Sequence, residues 1–258
     1  MRLLIQRVKH ASVAIDGRVR SRIGAGVLAL VGVGNDDGAE DVEYLAGKLV
    51  RLRIFDDEAV QNAARQEIIR RYYDALCDRR RGKGSDETVY KLELLMNQTG
   101  VTATDRKVVT AALAVAQETG SPAAAIELPD GRLVTGKTSD LMGPAAGAVL
   151  NALKALAGIP QTLDLISPEA IMPIQHLKVE HLGSLNPRLH SDEVLIALAS
   201  SATTNPLADK AMDQLASLRN CQAHVSVMLS ATDMRLYKKL GLQVTCEPQY
   251  ETKKLYHR

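Results

Sequence analysis

The residues 131–138, GRLVTGKT, have the types and spacing of a phosphate-binding loop, in which two glycines precede a lysine and a serine or threonine. In such a loop the backbone amides surround a phosphate group, and the lysine and the hydroxyl contact the phosphates and a metal ion. A working loop follows a buried strand and leads into a helix. AAAIEL before the motif and LMGPAAGAVLNALK after it are candidates for these two elements.

The residues around the motif nevertheless favour a β-hairpin. Asp130-Gly131 is typical of a tight turn. Leu133 and Val134 would place apolar side chains around an anion, whereas they suit a returning strand. The nearest second nucleotide motif, VMLSATD, reaches its aspartate late. We therefore expect no bound cofactor, and we keep a narrower hypothesis: an anion contact at a helix N-terminus by Lys137, Thr138 and Ser139.

The histidines and cysteines do not predict a metal site. His176 and His181 are five residues apart, which on a straight helix places them about 140° from each other. They share a face only if Pro173 distorts the turn. Cys221 and His224 have a C-x-x-H spacing but no second pair, and a zinc site needs three or four convergent ligands. Cys221 and Cys246 also lack a paired base, so we interpret them as structural.

Other polar segments are weaker candidates. The basic run 79–83 follows Asp74 and Asp78 and is typical of a solvated helix end. In α/β proteins, ligands bind beyond the carboxyl ends of strands. That rule indicates the loop 230–233 and, if 194–199 is a strand, the loop 200–205. If the chain has a site, we expect it among these residues: Lys137, Thr138, Ser139, Arg188, His190, Thr204 and Asn205.

The elements that would position these residues change character along the chain. Residues 1–57 predict a strand, a hairpin turning at Asp16-Gly17, a buried strand GVLALVGVG and a helix. Residues 58–120 predict helices, the third capped by Thr104 and ending at Gly120. Residues 121–258 predict an α/β region with a helix that begins at Ser167 and a β-α-β end from HVSVMLS to LQVTCE. The segment 191–218 fits either two helices broken near Asn205-Pro206 or a strand followed by one helix.

Residues 58–258 resemble the C-terminal part of a bacterial family, the domain of unknown function 1846 (UPF0371 type). The resemblance lies in EIIRRYYDALCD, IELPDGRLVTGKTS, LNALKALAGIP, SPEAIMPIQHLKVEHLG, NPRLHSDEVLIAL and LGLQVTCEPQYETKKLYH. It implies a multi-domain α/β protein with Rossmann-like layers that assembles into oligomers, and it attaches no activity.

Residues 1–57 resemble the N-terminal part of the D-aminoacyl-tRNA deacylases in MRLLIQRVKHASVAIDG, IGAGVLALVGV and EDVEYLAGKLVRLRIFDDE. The resemblance implies a tRNA-proofreading hydrolase whose later motifs are Ser-Gln-x-Thr and an Asn-x-Gly-Pro-x-Thr segment. The sequence has neither, and its single Gly-Pro is Gly143-Pro144. Only Gln6 and Arg7 carry over, as supports of a pocket, so we predict that this segment is inactive. The two resemblances meet at 56–60, as a fusion would leave them.

Composition excludes several classes. Three scattered cysteines in 258 residues indicate a reducing, cytoplasmic setting, and the net charge of +2 gives no reason to expect DNA. No apolar run is long enough to span a membrane. We expect an α/β protein: a truncated deacylase-like hairpin and helix, a mostly helical region and a Rossmann-like layer. It would form homo-oligomers, with tRNA as a partner only if it is a deacylase. Three functions stay open. The first is that of a fused or truncated member of the unknown-function family, with either no activity or an uncharacterised phosphate- or nucleotide-related one. The others are D-aminoacyl-tRNA deacylase and an oligomeric scaffold.

Overall fold

A computed structural model describes residues 1–24, 26–50 and 58–251, without the side chains of residues 50 and 58–60. The described chain forms two compact units, Met1–Ala64 and Arg65–Arg258. The join that the sequence predicts at 56–60 lies largely outside the described residues, as does the end of the chain from residue 252. No helix within the described ranges is long and apolar enough to cross a membrane.

The first unit contains two separate antiparallel strand pairs and a helix. β1 (Arg2–Val8) pairs with β4 (Gly26–Gly32), β2 (Ala11–Ile15) pairs with β3 (Arg18–Ile23), and α1 spans Ala39–Val50. The β2–β3 turn has positive φ at both Asp16 (51°) and Gly17 (74°), as the predicted tight hairpin requires.

The prediction that GVLALVGVG is a buried strand is right about the strand and wrong about its burial. The strand forms as β4, but Leu30 is 55% exposed and Val31 57% exposed. The reason is that, among the described residues, β4 pairs with β1 alone in a two-stranded sheet, which gives its apolar side chains no packed layer.

The second unit begins within α2 and is richer in helices. Its helices are α2 (Glu58–Arg80), α3 (Asp86–Thr99), α4 (Lys107–Thr119), α5 (Pro144–Leu156), α6 (Pro168–His176), α7 (Ser191–Ala202), α8 (Pro206–Met212) and α9 (Ala231–Lys239). Its strands are β5 (Ala123–Glu127), β6 (Leu133–Lys137), β7 (Gln222–Val225) and β8 (Gln243–Cys246). Short 3₁₀ turns lie at Ala103–Asp105 and Leu215–Leu218, and a π-helical turn at Leu177–His181.

The four strands form one mixed sheet in the order β6-β5-β7-β8. β5 is antiparallel to both neighbours, and β7 and β8 are parallel and joined through α9. The predicted β-α-β end is therefore confirmed. The β5–β6 connection is a hairpin in which Leu128 N donates to Arg132 O (2.8 Å) and Gly131 has φ of 82°. Only glycine adopts that φ without strain.

Helices cover both faces of the sheet. Ala124 and Ile126 belong to the large apolar core that includes α5 and α7, whereas Ala125 packs with Val108 and Ala112 of α4. Successive residues of a strand point to opposite faces. This three-layer arrangement agrees with the predicted α/β class and its Rossmann-like layer.

Gly136, the second glycine of the GRLVTGKT motif, allows β6 to lie directly against α5. A methyl group at Gly136 would come 2.5 Å from the carbonyl carbon of Gly147 and 2.7 Å from Ala148 Cα. Real Cβ atoms do not approach backbone that closely. The glycines of the motif are therefore explained by the hairpin turn and by strand–helix packing.

The helical segments match the sequence with one difference, the cap of α4. Ser167 caps α6 through a bond from Ala170 N, and Gly120 ends α4 with φ of 63°, both as predicted. Thr104 does not cap α4, because residues 103–105 form a 3₁₀ turn and the cap position falls on Arg106. The segment 194–199 is part of α7, which resolves the open alternative in favour of two helices.

Candidate functional site

The candidate site lies where three strands of the sheet end. β6, β7 and β8 all run in the same direction, since β6 and β7 are each antiparallel to β5 and β8 is parallel to β7. Their carboxyl ends share one edge of the sheet, which is where α/β folds bind ligands. A cleft at this edge is lined by 143–145, Asn186, 188–190, 227–230, Asp233 and Glu251. We call it the edge cleft.

A histidine–aspartate pair forms the centre of the edge cleft. His190 Nδ1 lies 2.9 Å from Asp233 Oδ2, to which the Ser230 hydroxyl also donates at 2.7 Å. Ser191 donates both its backbone N–H and its hydroxyl to Asp233 Oδ1, each at 2.7 Å. Both carboxylate oxygens are thus occupied. If Nδ1 carries the proton that it gives to Asp233, Nε2 is left as the acceptor, and it has no hydrogen-bond partner among the described residues.

Local helix starts position this pair. His190 is the residue before α7, and its backbone N–H donates to Glu193 Oε2 at 2.7 Å. Ser230 is the residue before α9, and its hydroxyl accepts from Asp233 N at 3.1 Å. Asp233 therefore points back from the first turn of α9 to the start of α7. The pair joins two helix N-termini through short, sequence-local caps.

Lys178 supports the loop that carries His190. Its ammonium donates to the carbonyl of Arg188 and to Glu193 Oε2, both at 2.7 Å, and its side chain is 7% exposed. Glu193 thus bonds Lys178 and the His190 backbone together. A buried ammonium that is paired with a carboxylate and a carbonyl fixes the loop, since leaving it unpaired would cost several kcal/mol.

The two ionisable groups of the pair shift each other's pKa. The hydrogen bond that His190 donates to Asp233 raises the pKa of His190, against the effect of burial. Burial alone would raise the pKa of Asp233, but the bonds from His190 and Ser191 outweigh it and leave that pKa lowered. His190 is therefore a stronger base than a free histidine and is held in one orientation, as an acid–base catalyst requires.

The rest of the edge cleft has both positive and negative groups. Arg188 Nη1 donates to Glu251 Oε1 at 2.7 Å. The first turn of α5 follows Gly143 without a side-chain cap, so amides of that turn lack a capping acceptor. The enclosed volume is about 20 Å³, room for one water-sized group. Only one small group of a ligand, about the size of a single oxygen atom with its hydrogens, would therefore fit inside the cleft, and the rest of the ligand would stay outside it.

The structure brings together only part of the predicted site set. Arg188 and His190 line the edge cleft, whereas Lys137, Thr138 and Ser139 lie at the same edge of the sheet but outside its lining. Ser139 is used locally, because its hydroxyl accepts from the amides of residues 141 and 142. The Thr138 hydroxyl is buried without a partner among the described residues.

Thr204 and Asn205 lie at the opposite end of α7 from His190. The 12 residues of α7 extend over about 18 Å. Asn205 caps α8 by accepting from Leu207 N at 3.0 Å. Their inclusion depended on a strand at 194–199, and the helix found there moves them away from the edge of the sheet.

The remaining candidate residues lie on exposed surfaces, in ion pairs or in the core. Gln6 and Arg7 are exposed on β1 of the first unit. In the basic run, Arg79 pairs with Asp86 and Arg81 with Asp78 at the end of α2. The three cysteines of the chain are free and buried, and burial raises the pKa of Cys246 to about 12 and that of Cys221 above its usual value. Thiols with raised pKa values are poor nucleophiles.

The other candidate histidines differ in their surroundings: His224 is buried, whereas His176 and His181 are exposed. His224 is fully buried on β7, with Nδ1 2.8 Å from Thr245 Oγ1, and burial lowers its pKa. Among the described residues no three metal-binding side chains converge. For His176 and His181 the structure shows the exception that the sequence left open, a distorted turn after Pro173. The π-helical turn after α6 brings their rings to 5.4 Å between centroids.

A second, roomier cleft of the second unit lies elsewhere. It has a volume of about 420 Å³ and lies between α2, α9 and the amino-terminal end of β8. Its charged groups are bonded to each other, Arg70 to Asp74 at 2.8 Å and Arg81 to Asp78 at 3.4 Å. It contains no histidine and no nucleophile. The chemistry therefore favours the smaller edge cleft.

Sequence reasoning did not find the supporting residues. The Ser-x-x-Asp spacing at 230–233 and the His-x-x-Glu spacing at 190–193 are cap patterns that would have indicated two helix starts. Nothing in one sequence indicates that those starts face each other. Lys178 and Glu251 had no local signal at all.

Comparison with known families gives two matches. The model described as "Domain of unknown function DUF1846, C-terminal" matches residues 104–256. The model described as "D-Tyr-tRNA(Tyr) deacylase" matches residues 4–77, which reaches into α2.

Curated relatives agree with the first match. A UPF0371 protein of Corynebacterium glutamicum (strain R) is 52% identical over 210 residues, which is 81% of this chain and 42% of the relative. UPF0371 proteins of Streptococcus pneumoniae (strain CGSP14) and of Corynebacterium efficiens are 50% and 51% identical over the same coverage. The chain thus spans less than half the length of the relatives it matches.

Proposed function

The chain belongs to the DUF1846 family through its C-terminal domain, and from this premise we propose that the edge cleft binds a small phosphate-bearing molecule and exchanges a proton with it through His190. The observation that carries the proposal is the His190–Asp233 pair, which leaves Nε2 unbonded among the described residues beside a cleft at the carboxyl ends of β6, β7 and β8.

Proton exchange needs a base that is oriented and tuned. Asp233 fixes the tautomer of His190 by accepting from Nδ1, so that Nε2 presents its lone pair. The raised pKa of His190 lies in the direction that strengthens the base. A ligand proton or a water within hydrogen-bond reach of Nε2 is the group on which this base would act.

Two features support a phosphate group as the part of the ligand that is bound. The uncapped start of α5 presents backbone N–H groups and the positive end of the helix dipole. Arg188 lines the same cleft, and its guanidinium has five donors, of which Glu251 takes one in the described contacts. Asp233 and Glu251 are each paired with a cationic or donor group, which limits their repulsion of an anion.

The test is calorimetric titration of the full chain with inorganic phosphate, pyrophosphate, AMP and ATP. We expect binding of at least one of them, weakened about tenfold or more in Arg188→Ala and in His190→Asn, since each loses a charge-assisted bond. Lys137→Ala is the matched control and should bind as the unaltered chain does. Absence of binding by all four anions would refute the proposal, and so would Arg188→Ala and His190→Asn variants that bind as tightly as the unaltered chain.

The deacylase match supports a second candidate function, tRNA-linked ester hydrolysis, for the first unit. We propose that this unit is inactive, because the sequence lacks the Ser-Gln-x-Thr and Asn-x-Gly-Pro-x-Thr motifs that the resemblance implies. Release of a D-amino acid from charged tRNA by the purified chain would overturn this view.

We also propose that the chain forms a homo-oligomer and that it acts in the cytoplasm. The chain would act in a cytoplasm, in keeping with three free, buried cysteines. Light scattering of the full chain tests the homo-oligomer. A stable oligomer together with a failure of every anion to bind would favour the scaffold function instead.

A further inference from the structure

The turn that follows α6 has an unusual hydrogen-bond pattern. Leu182 N donates to Leu177 O at 3.0 Å, a spacing of five residues instead of four. Pro173 lies four residues before Leu177 and has no N–H of its own to donate. Such π-helical turns are rare, and they occur often at functional sites.

The π-helical turn places two histidines side by side. In this turn residues five apart come onto the same side, so His176 and His181 meet with ring centroids 5.4 Å apart and planes at 82°. Both side chains are exposed. Neither ring has a hydrogen-bond partner among the described residues, so the four ring nitrogens are available to a ligand from solvent.

We propose that His176 and His181 form a bidentate site for a divalent transition-metal ion. Imidazole nitrogens are ligands of Cu²⁺, Ni²⁺ and Zn²⁺, with Cu²⁺ bound most tightly. A metal ion at about 2.1 Å from one nitrogen of each ring, at a near-tetrahedral angle, leaves ring centres roughly 5 Å apart. The observed separation is already close to that value. The rings now meet edge to face, so binding turns one ring about its Cβ–Cγ bond.

The surroundings of the pair favour a cation. Glu180 is exposed and is part of the same turn, so it adds a negative charge to this short segment. Lys178, the one ammonium of the turn, is directed away and bonded to the Arg188 carbonyl and to Glu193. The site is separate from the edge cleft, and the inference does not depend on the proposed function.

The experiment measures Cu²⁺ binding to the full chain, by calorimetry and by electron paramagnetic resonance at one equivalent of the ion. We expect two nitrogen ligands in the spectrum and an affinity that falls about tenfold or more in either His176→Ala or His181→Ala, because loss of one ring removes the chelate. His10→Ala, in the first unit, is the matched control and should bind as the unaltered chain does. Equal affinity in the single variants and the unaltered chain would overturn the proposal.

A second variant tests the geometry. Glu180→His combined with His181→Ala moves one ring to a spacing of four residues from His176, which chelates on a regular α-helix. On the π-helical turn this double variant should stay as weak as His181→Ala. Full recovery of affinity would show that the segment is an ordinary helix and would contradict the inference. All exchanged side chains are exposed, so circular dichroism and the melting temperature should not change.

Discussion

Replacing Gly136 with alanine tests the assignment of GRLVTGKT to a hairpin packed on α5. The added methyl group would lie 2.5 Å from the carbonyl carbon of Gly147 and 2.7 Å from Ala148 Cα, both backbone atoms that cannot rotate away. Forcing a strand off its helix in this way costs about 2–4 kcal/mol of the free energy of unfolding. For a unit of this size that loss lowers the melting temperature by roughly 5–15 °C.

Gly147 supplies the matched control on the other side of the same contact. A methyl group there would meet the Lys137 carbonyl oxygen at 3.5 Å, an ordinary contact. Because Gly147 lies within α5, alanine should raise the free energy of unfolding by up to about 1 kcal/mol through helix propensity. The assay is denaturant unfolding of the full chain followed by circular dichroism. If Gly136→Ala is as stable as the unaltered chain, β6 does not pack against α5 as described and the reasoning fails.

Three further outcomes are expected. Folding raises the pKa of His190 and lowers that of Asp233, so the pair stabilises the fold most between roughly pH 4 and pH 6.5, and less at higher pH, where His190 loses its proton, or at lower pH, where Asp233 gains one. His190→Asn should therefore cost most free energy of unfolding in that window. A difference between the variant and the unaltered chain that does not change with pH would contradict this. Arg106→Lys should lower the free energy of unfolding in urea by about 2 kcal/mol or more, since the buried guanidinium donates to Gln222 and to two backbone carbonyls, with no carboxylate partner in the described contacts. The exposed control Arg235→Lys should change it by less than about 0.5 kcal/mol, and equal effects of the two variants would refute this. Isolated residues 1–57 should self-associate through open strand edges, and sharp, dispersed NMR spectra of a monomer would exclude that.

Local chemistry explains what the sequence predicted well. Asp130-Gly131, Gly120 and Ser167 act through turn and cap geometry within a few residues, so the hairpin, the end of α4 and the start of α6 follow from the printed letters. The apolar run of β4 misled because its burial depends on a layer that the first unit does not provide. Periodicity likewise could not distinguish a strand from α7, since both bury an apolar run.

The site depended on long-range contacts that a single sequence does not encode in any local pattern. Arg188 and His190 were among the predicted residues, but their partners Glu251 and Asp233 are 63 and 43 positions away. The pairing of His176 with His181 required a π-helical turn, which the 100° advance of a regular helix does not allow. The sequence left this possibility open as a distortion by Pro173, but it gave no means of deciding whether the distortion occurs.

The most direct test of the central claim is an NMR titration of the His190 ring with inorganic phosphate, observed through the imidazole nitrogens of the full chain. We predict that Nδ1 keeps the proton bonded to Asp233, that the Nε2 signal shifts on addition of phosphate, and that Arg188→Ala abolishes the shift while Lys137→Ala preserves it. An Nε2 signal that does not respond to phosphate, or a response lost in Lys137→Ala and kept in Arg188→Ala, would contradict the edge cleft as the site.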